Sequence, residues 1–352
     1  MNMRVALVVL SLVLSILTGL ALRGGGAAKG DAGKGAVVRV GLSMDTLKEA
    51  RWQKDRDMFV ARAKELGAEV LVQSANSDDT RQMQDVNSLI AAGVNVLVVI
   101  PHNGQAMAEA VRAARKAGIP VIAYDRMITD CDLDIYLSFD NVRVGELQAR
   151  YLVERLPTPG KGRIVRVYGA PTDNNAKLFR QGQDNVLKPY LDRGDIQVLH
   201  EDWATDWDPA NAKKILNAAL AKHGTGFDAV LASNDGTAGG AIQALKESGL
   251  AGKVLVTGQD AELVACQRIA RGTQAMTIYK PIRNLATRAA ELAVDMAKGR
   301  PVIARAALAN GAKDVPSVLL DVVAVTKDNL RETVVADGFH PEADVFAGEK
   351  GP

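Results

Sequence analysis

The chain alternates short β-branched apolar runs with amphipathic helical stretches, and no other feature limits its possible folds as strongly. The runs VVRVGLS, AEVLVQ, VNVLVVI, PVIAY and DIYLSF come first. GRIVRVYG, IQVLH, FDAVLAS, KVLVTG and QAMTIY follow, with helix-like sequence between nearly all of them. Strand, helix, strand repeated in this way builds parallel sheets, so the expected class is α/β. The runs form two sets of about five, divided near Asp140 and Asn141. That grouping suits two doubly wound parallel-sheet lobes with a cleft between them better than one oversized sheet. At 352 residues the chain is long enough to bury a core in each lobe.

Helix boundaries support this reading. DPANAKKILNAALAKHG opens on Asp208 as an N-cap with Pro209 behind it and closes on Gly224. Charged residues in such stretches fall at helical spacing and are expected to be solvated faces.

Polar residues gather where the apolar strands end. PVIAY is followed by Asp125 and Arg126, AVLAS by Asn234, VLVTGQ by Asp260, AMTIY by Lys280, and IVRVYGAPT by Asp173 and Asn175; Arg51 and Trp52 lie beyond VRVGLSM. In open α/β sheets the carboxyl ends of the strands border the ligand crevice. An isolated Asp there serves equally well as a helix cap or an ion-pair partner. Recurrence of the pattern in both halves points to a site. Asp, Asn, Arg and Lys together supply donors and acceptors in comparable numbers with partly cancelling charge, which suits a neutral molecule covered in hydroxyls. A phosphate site would omit the carboxylates. Only 4% of residues are aromatic, so the loop tryptophans are informative: Trp52, and either Trp203 or Trp207, offer flat surfaces to the C–H faces of a sugar ring.

Other chemistries lack their residues. The histidines, at 102, 200, 223 and 340, are dispersed, without HExxH or Cys/His ligand spacing, and G-x-S-x-G is absent. Gly33-Lys34 lacks the flanking residues of a phosphate loop. Asp130, Asp132 and Asp134 alternate like the start of a calcium loop, but Ile135 stands where Gly is required and no Glu closes it. No metal and no cofactor are expected. A pair of carboxylates flanking a glycosidic bond would make a hydrolase, yet Arg and Lys around every carboxylate would depress their pKa values and leave no proton donor. A net charge of +2 without a basic run argues against nucleic acid.

Arg4 precedes an uncharged apolar run, Val5 to Leu22, and a small-residue linker follows, the pattern of an export signal; an uncleaved membrane anchor is the alternative. Cys131 and Cys266 fall in different lobes and are expected to be buried and unpaired.

The stretches RWQKDRD, QSANSDDTRQMQ, AYDRMITD, FDNVRVGELQAR, DNNAKLFRQGQ, SNDGTAGGAIQAL, GQDAEL and GTQAMTIYKPI resemble, in order, the ribose- and galactose-binding family of type I periplasmic binding proteins. The resemblance runs from about Val37 to about His340. It implies two lobes joined by a hinge of three crossovers, closing on a monosaccharide, D-xylose ahead of glucose, arabinose or ribose. The lobes implied are 36–141 with 281–320 and 142–280 with 321–342, after a signal and linker at 1–35 and before a tail at 343–352. Carried over by motif, the ligand contacts are Arg51, Trp52, Asp125, Arg126, Asp173, Asn175, Trp207, Asn234, Asp260 and Lys280. The implied partners are an ABC permease in the inner membrane or a chemoreceptor, with the protein a periplasmic monomer. Repressors of the lactose type share the fold but carry a helix-turn-helix where this chain carries the apolar leader.

Overall fold

A computed structural model describes residues 37–347. The leader, linker and last residues of the tail lie outside the described residues. Two sheets and a small ribbon organise the chain. In the first, strands β1 (Val38–Met44), β2 (Ala68–Ser74), β3 (Val96–Val99), β4 (Val121–Tyr124) and β5 (Ile135–Phe139) are joined late in the chain by β11 (Ala306–Ala309) and β12 (Asp314–Leu320), in the order β11-β12-β5-β4-β3-β1-β2. The second holds β6 (Gly162–Tyr168), β7 (Ile196–Trp203), β8 (Ala229–Ala232) and β9 (Leu255–Val256), in the order β7-β6-β8-β9. β10 (Met276–Tyr279) and β13 (Val323–Thr326) pair with each other.

Alternation along each strand explains the layering. Val40, Leu42, Val96, Val98, Ile122 and Tyr124 turn to one face of the first sheet, where α1 (Ala50–Glu65) and α9 (Ile282–Ala297) supply Phe59, Ala63, Leu285 and Ala289. Leu97, Val99, Val121 and Ala123 turn to the other, against α2 (Asp79–Ala91) and α3 (Ala108–Lys116). In the second sheet Val165, Val167, Val230 and Ala232 meet α6 (Pro209–His223) and α7 (Asp235–Glu247). Ile164, Ala229 and Leu231 meet α4 (Asn141–Arg155) and α5 (Asn174–Asp192). Both sheets are thus covered on two faces, as parallel sheets require. The chain passes between the sheets after β5, between β10 and α9, and between β12 and β13, which makes the three crossovers.

Helix ends follow their signals. Asp140, Asp173 and Asp208 cap α4, α5 and α6 through side-chain bonds to backbone N–H groups, Pro209 begins α6, and Gly224 ends it. The sheets depart from the all-parallel expectation in two places. β11 and β12 are antiparallel to each other, and β10 leaves the second sheet to pair antiparallel with β13. Those late strands carry weak signals: β11 is Ala-Ala-Leu-Ala, and β12 contains Pro316, which disfavours a strand reading although its parallel pairing with β5 begins only at Ser317. Both cysteines are buried and free. α8 (Leu263–Ala270) and the short α10 (Glu342–Val345) complete the second lobe, with Val345 buried against Cys266 and Ile269. Among the described residues, no helix is long and apolar enough to cross a membrane.

Candidate functional site

The carboxyl ends of β4, β6, β8, β9 and β10 and the first turn of α1 converge on one cavity. All ten residues expected at the site line it: Arg51, Trp52, Asp125, Arg126, Asp173, Asn175, Trp207, Asn234, Asp260 and Lys280. Glu49, Phe179 and Gln259 line it as well.

Arg51 is the hub. It lies one helical turn before Asp55, so its Nε reaches that carboxylate at 3.3 Å. Its two terminal nitrogens extend to Asp125 at 3.1 Å and, across the cleft, to Asp260 at 3.2 Å. Lys280 reaches Asp260 at 3.0 Å. Arg126 forms a second bridge between the lobes, with Asp45 at 2.7 Å on its own side and Asp173 at 2.9 Å on the other. Asn175 donates to the backbone oxygen of Asp125 at 3.0 Å and accepts from Asn141 at 2.9 Å. Asn234 also caps α7, its Oδ1 accepting from the Thr237 backbone N–H at 2.8 Å. Asp173 and Asn234 therefore cap helices and line the cavity at once, so capping and site membership do not compete.

The flat surfaces sort themselves. Trp52 is buried beneath the guanidiniums of Arg51 and Arg126, 4.2 and 5.2 Å from its ring. Trp207 donates its indole N–H to Asp173 at 3.2 Å and meets Phe179 edge-on, centroids 6.3 Å apart. Gly169, just past β6, lies against that indole so closely that a Cβ would collide with the ring. Trp203 ends β7, stacks at 4.8 Å on Tyr168 and is not among the cavity's lining residues. Trp207 is thus the indole that faces the cavity.

Charge and burial set the protonation of the group. Burial alone would push the Asp125 carboxyl up, but Arg51, with Lys280 and Arg126 behind it, holds it below its usual value. Burial wins at Asp173, where Arg126 only partly offsets it and the carboxyl rises. The expectation that every carboxylate here is depressed is therefore corrected at Asp173, a deeply buried group with one cation rather than several. Asp55, behind Arg51, is likewise pushed up by burial, to about 6. Each of these carboxylates accepts hydrogen bonds from fixed donors, which makes the ensemble a set of paired acceptors and donors around a small space. The Asp130 to Asp134 turn lies elsewhere, with Asp132 paired to Lys313 and Arg115 and Asp134 to Arg115.

Three lining residues went unread in the sequence. Gln259 directly precedes Asp260, and Phe179 lies one helical turn beyond Asn175, so spacing offered a signal for both. Glu49, in the loop before α1, carried none.

The family model of the periplasmic binding protein domain matches residues 40–301. The D-xylose-binding periplasmic protein of Escherichia coli K12 is 53% identical over 88% of this chain and 92% of its own. The multiple sugar-binding periplasmic receptor of Rhizobium radiobacter is 36% identical, over 86% of this chain and 90% of its own. Among solved structures, a carbohydrate transporter solute-binding protein from Chloroflexus aurantiacus, in complex with D-glucose, aligns with a TM-score of 0.82 at 33% identity, covering 88% of this chain and 98% of that one. A matched family model over most of the chain, a relative above half identity and a shared fold agree: the chain belongs to the periplasmic binding protein family.

Proposed function

We propose that the protein is the substrate-binding component of an ABC-type monosaccharide importer, holding D-xylose between its lobes and delivering it to a permease in the inner membrane. The observation that carries this reading is the convergence of paired carboxylates, cations and amides from both lobes on one cavity walled by Trp52 and Trp207. Each sugar hydroxyl donates and accepts, so such a set matches a neutral polyol, and its charged members make the stronger hydrogen bonds. Contacts drawn from both lobes favour the closed form, so sugar shifts the hinge toward it without any covalent step. The lobes that move are 36–141 with 281–320 and 142–280 with 321–342, the second extended by α10, and the ten residues carried by the motifs are the ligand contacts. The protein acts in the periplasm, exported by the leader. Docking to a chemoreceptor is a second use of the same closed form.

D-Xylose is supported by the name of the relative at 53% identity, and D-glucose is the rival supported by the sugar in the Chloroflexus aurantiacus neighbour. Thermal unfolding in separate wells with D-xylose, D-glucose, D-ribose, L-arabinose and D-galactose tests the choice. Ligand at a hundred times its Kd adds about 2.7 kcal/mol of stability. The largest rise with D-xylose is expected; a larger rise with another sugar would replace the ligand, and no rise with any would refute the reading.

A further inference from the structure

Two acceptors in the cavity wall have no donor. Gln259 is 2% exposed; its Nε2 donates to Asp260 at 3.0 Å, while its Oε1 is buried without a partner. Reversing the amide would set its oxygen against the Asp260 carboxylate, so the network itself decides which atom is left over. Glu49 comes from the opposite lobe. Its backbone opens α1, yet its carboxylate makes no capping bond, its Oε1 is 3.6 Å from Lys48, and its Oε2 is buried without a partner. Both side chains line the cavity. The other charged lining residues differ, since Arg51, Arg126, Asp125, Asp173, Asp260 and Lys280 each have an opposite charge within 3.2 Å.

A buried acceptor left unpaired is costly, and the cost falls when a ligand supplies the donor. The surroundings define that ligand. Glu262, from the second lobe, is pushed up to about 7 by burial, with Asp260 and Glu49 adding to the effect. A further anion would meet this crowd of carboxylates, whereas a neutral hydroxyl would relieve it.

We infer that Glu49 and Gln259 are two further hydroxyl acceptors of the cavity, which select a neutral sugar by taking hydrogen bonds from its O–H groups. This rests on the sugar-binding reading and adds a specificity contact from each lobe. Gln259→Met keeps the shape and removes the acceptor together with the Nε2 donor to Asp260, and Glu49→Leu removes the carboxylate.

The test measures Kd for D-xylose and its monodeoxy analogues with the full chain, wild type and variants. Each variant should bind D-xylose about tenfold more weakly, the loss of one hydrogen bond. For each variant one monodeoxy sugar should bind variant and wild type alike, because the hydroxyl that the residue takes is already gone. Unchanged affinity for D-xylose, or an equal loss with every analogue, would overturn the inference; the latter pattern is that of a purely structural residue. Should Glu49→Leu fail to fold, Glu49→Gln, which leaves a weaker neutral acceptor, should lose a smaller share of affinity against the same analogue. Wild type that bound none of these sugars would overturn the sugar reading, and this inference with it, a result distinct from either of the others.

Discussion

Asp125 and Asp260 hold their backbones in the left-handed region, at φ 61° and 94°, and so do Asp206 and Trp207, both at 55°. Such conformations are costly outside glycine and persist where surrounding bonds over-determine them. At Asp125 those bonds are visible: its backbone oxygen accepts from Tyr136 at 3.0 Å, Ser138 at 2.6 Å and Asn175 at 3.0 Å. The strained turn aims the carboxylate at Arg51 and into the cavity. At Asp260 one oxygen faces both Arg51 and Lys280. Asp260→Asn should therefore weaken sugar binding by the value of a charged hydrogen bond, about 1.5–3 kcal/mol, read from Kd by titration. Unaltered affinity would remove Asp260 from the site. Gly169→Ala should displace the Trp207 indole, costing about 1–3 kcal/mol of stability through overpacking and lowering sugar affinity; urea unfolding and titration of the same sample check both.

Elements carry the site because each ends where a polar side chain is needed. Asp235, first residue of α7, ties three of them together: it accepts from Gln274 before β10 at 2.7 Å, from Thr277 in β10 at 2.9 Å, and from the Glu262 backbone before α8 at 2.9 Å. Asp235→Ala would leave those buried donors unpaired, and a loss of about 3 kcal/mol or more in urea unfolding is expected. This element level was the most legible in the sequence. Period-2 runs located β1 to β10, and the polar residues after several of those runs, Asp125, Arg126, Asp173, Asn234, Asp260 and Lys280 among them, line the cavity. β11 and β12 were not legible, because alanine and Pro316 give no strand signal and β12 pairs with β5 from the first half of the chain; β13, only four residues long, pairs back with β10 outside either sheet. Glu49 was not legible for a related reason: what distinguishes it is the absence of a partner in space.

At the scale of the whole molecule, the rim of the cleft is bridged as well as its floor. The Gly104 N–H of the first lobe donates to the Thr172 carbonyl of the second at 3.2 Å, and Lys48 donates to the Asp206 carbonyl at 3.1 Å. His102 lies 3.0 Å from Asp45 and 3.8 Å from Asp206, across the cleft. Its pKa is raised by the hydrogen bond to Asp45, with burial opposing and the charges of Asp45, Asp79 and Asp206 adding. A raised folded value means that the stabilisation is fully present below His102's ordinary value of about 6.5 and is lost as pH rises through the raised one. Its partner Asp45, held down at about 2, contributes above its own ordinary value and is lost only as pH falls toward 2. The unfolding midpoint should thus fall between pH 6 and pH 8 by more in wild type than in His102→Gln; equal falls would remove this ion pair from the account. Capture of one monosaccharide between the lobes is open to calorimetric titration of the full chain with D-xylose. A saturable isotherm at one sugar per chain is the predicted result; no binding at millimolar sugar, or a stoichiometry other than one, would contradict it.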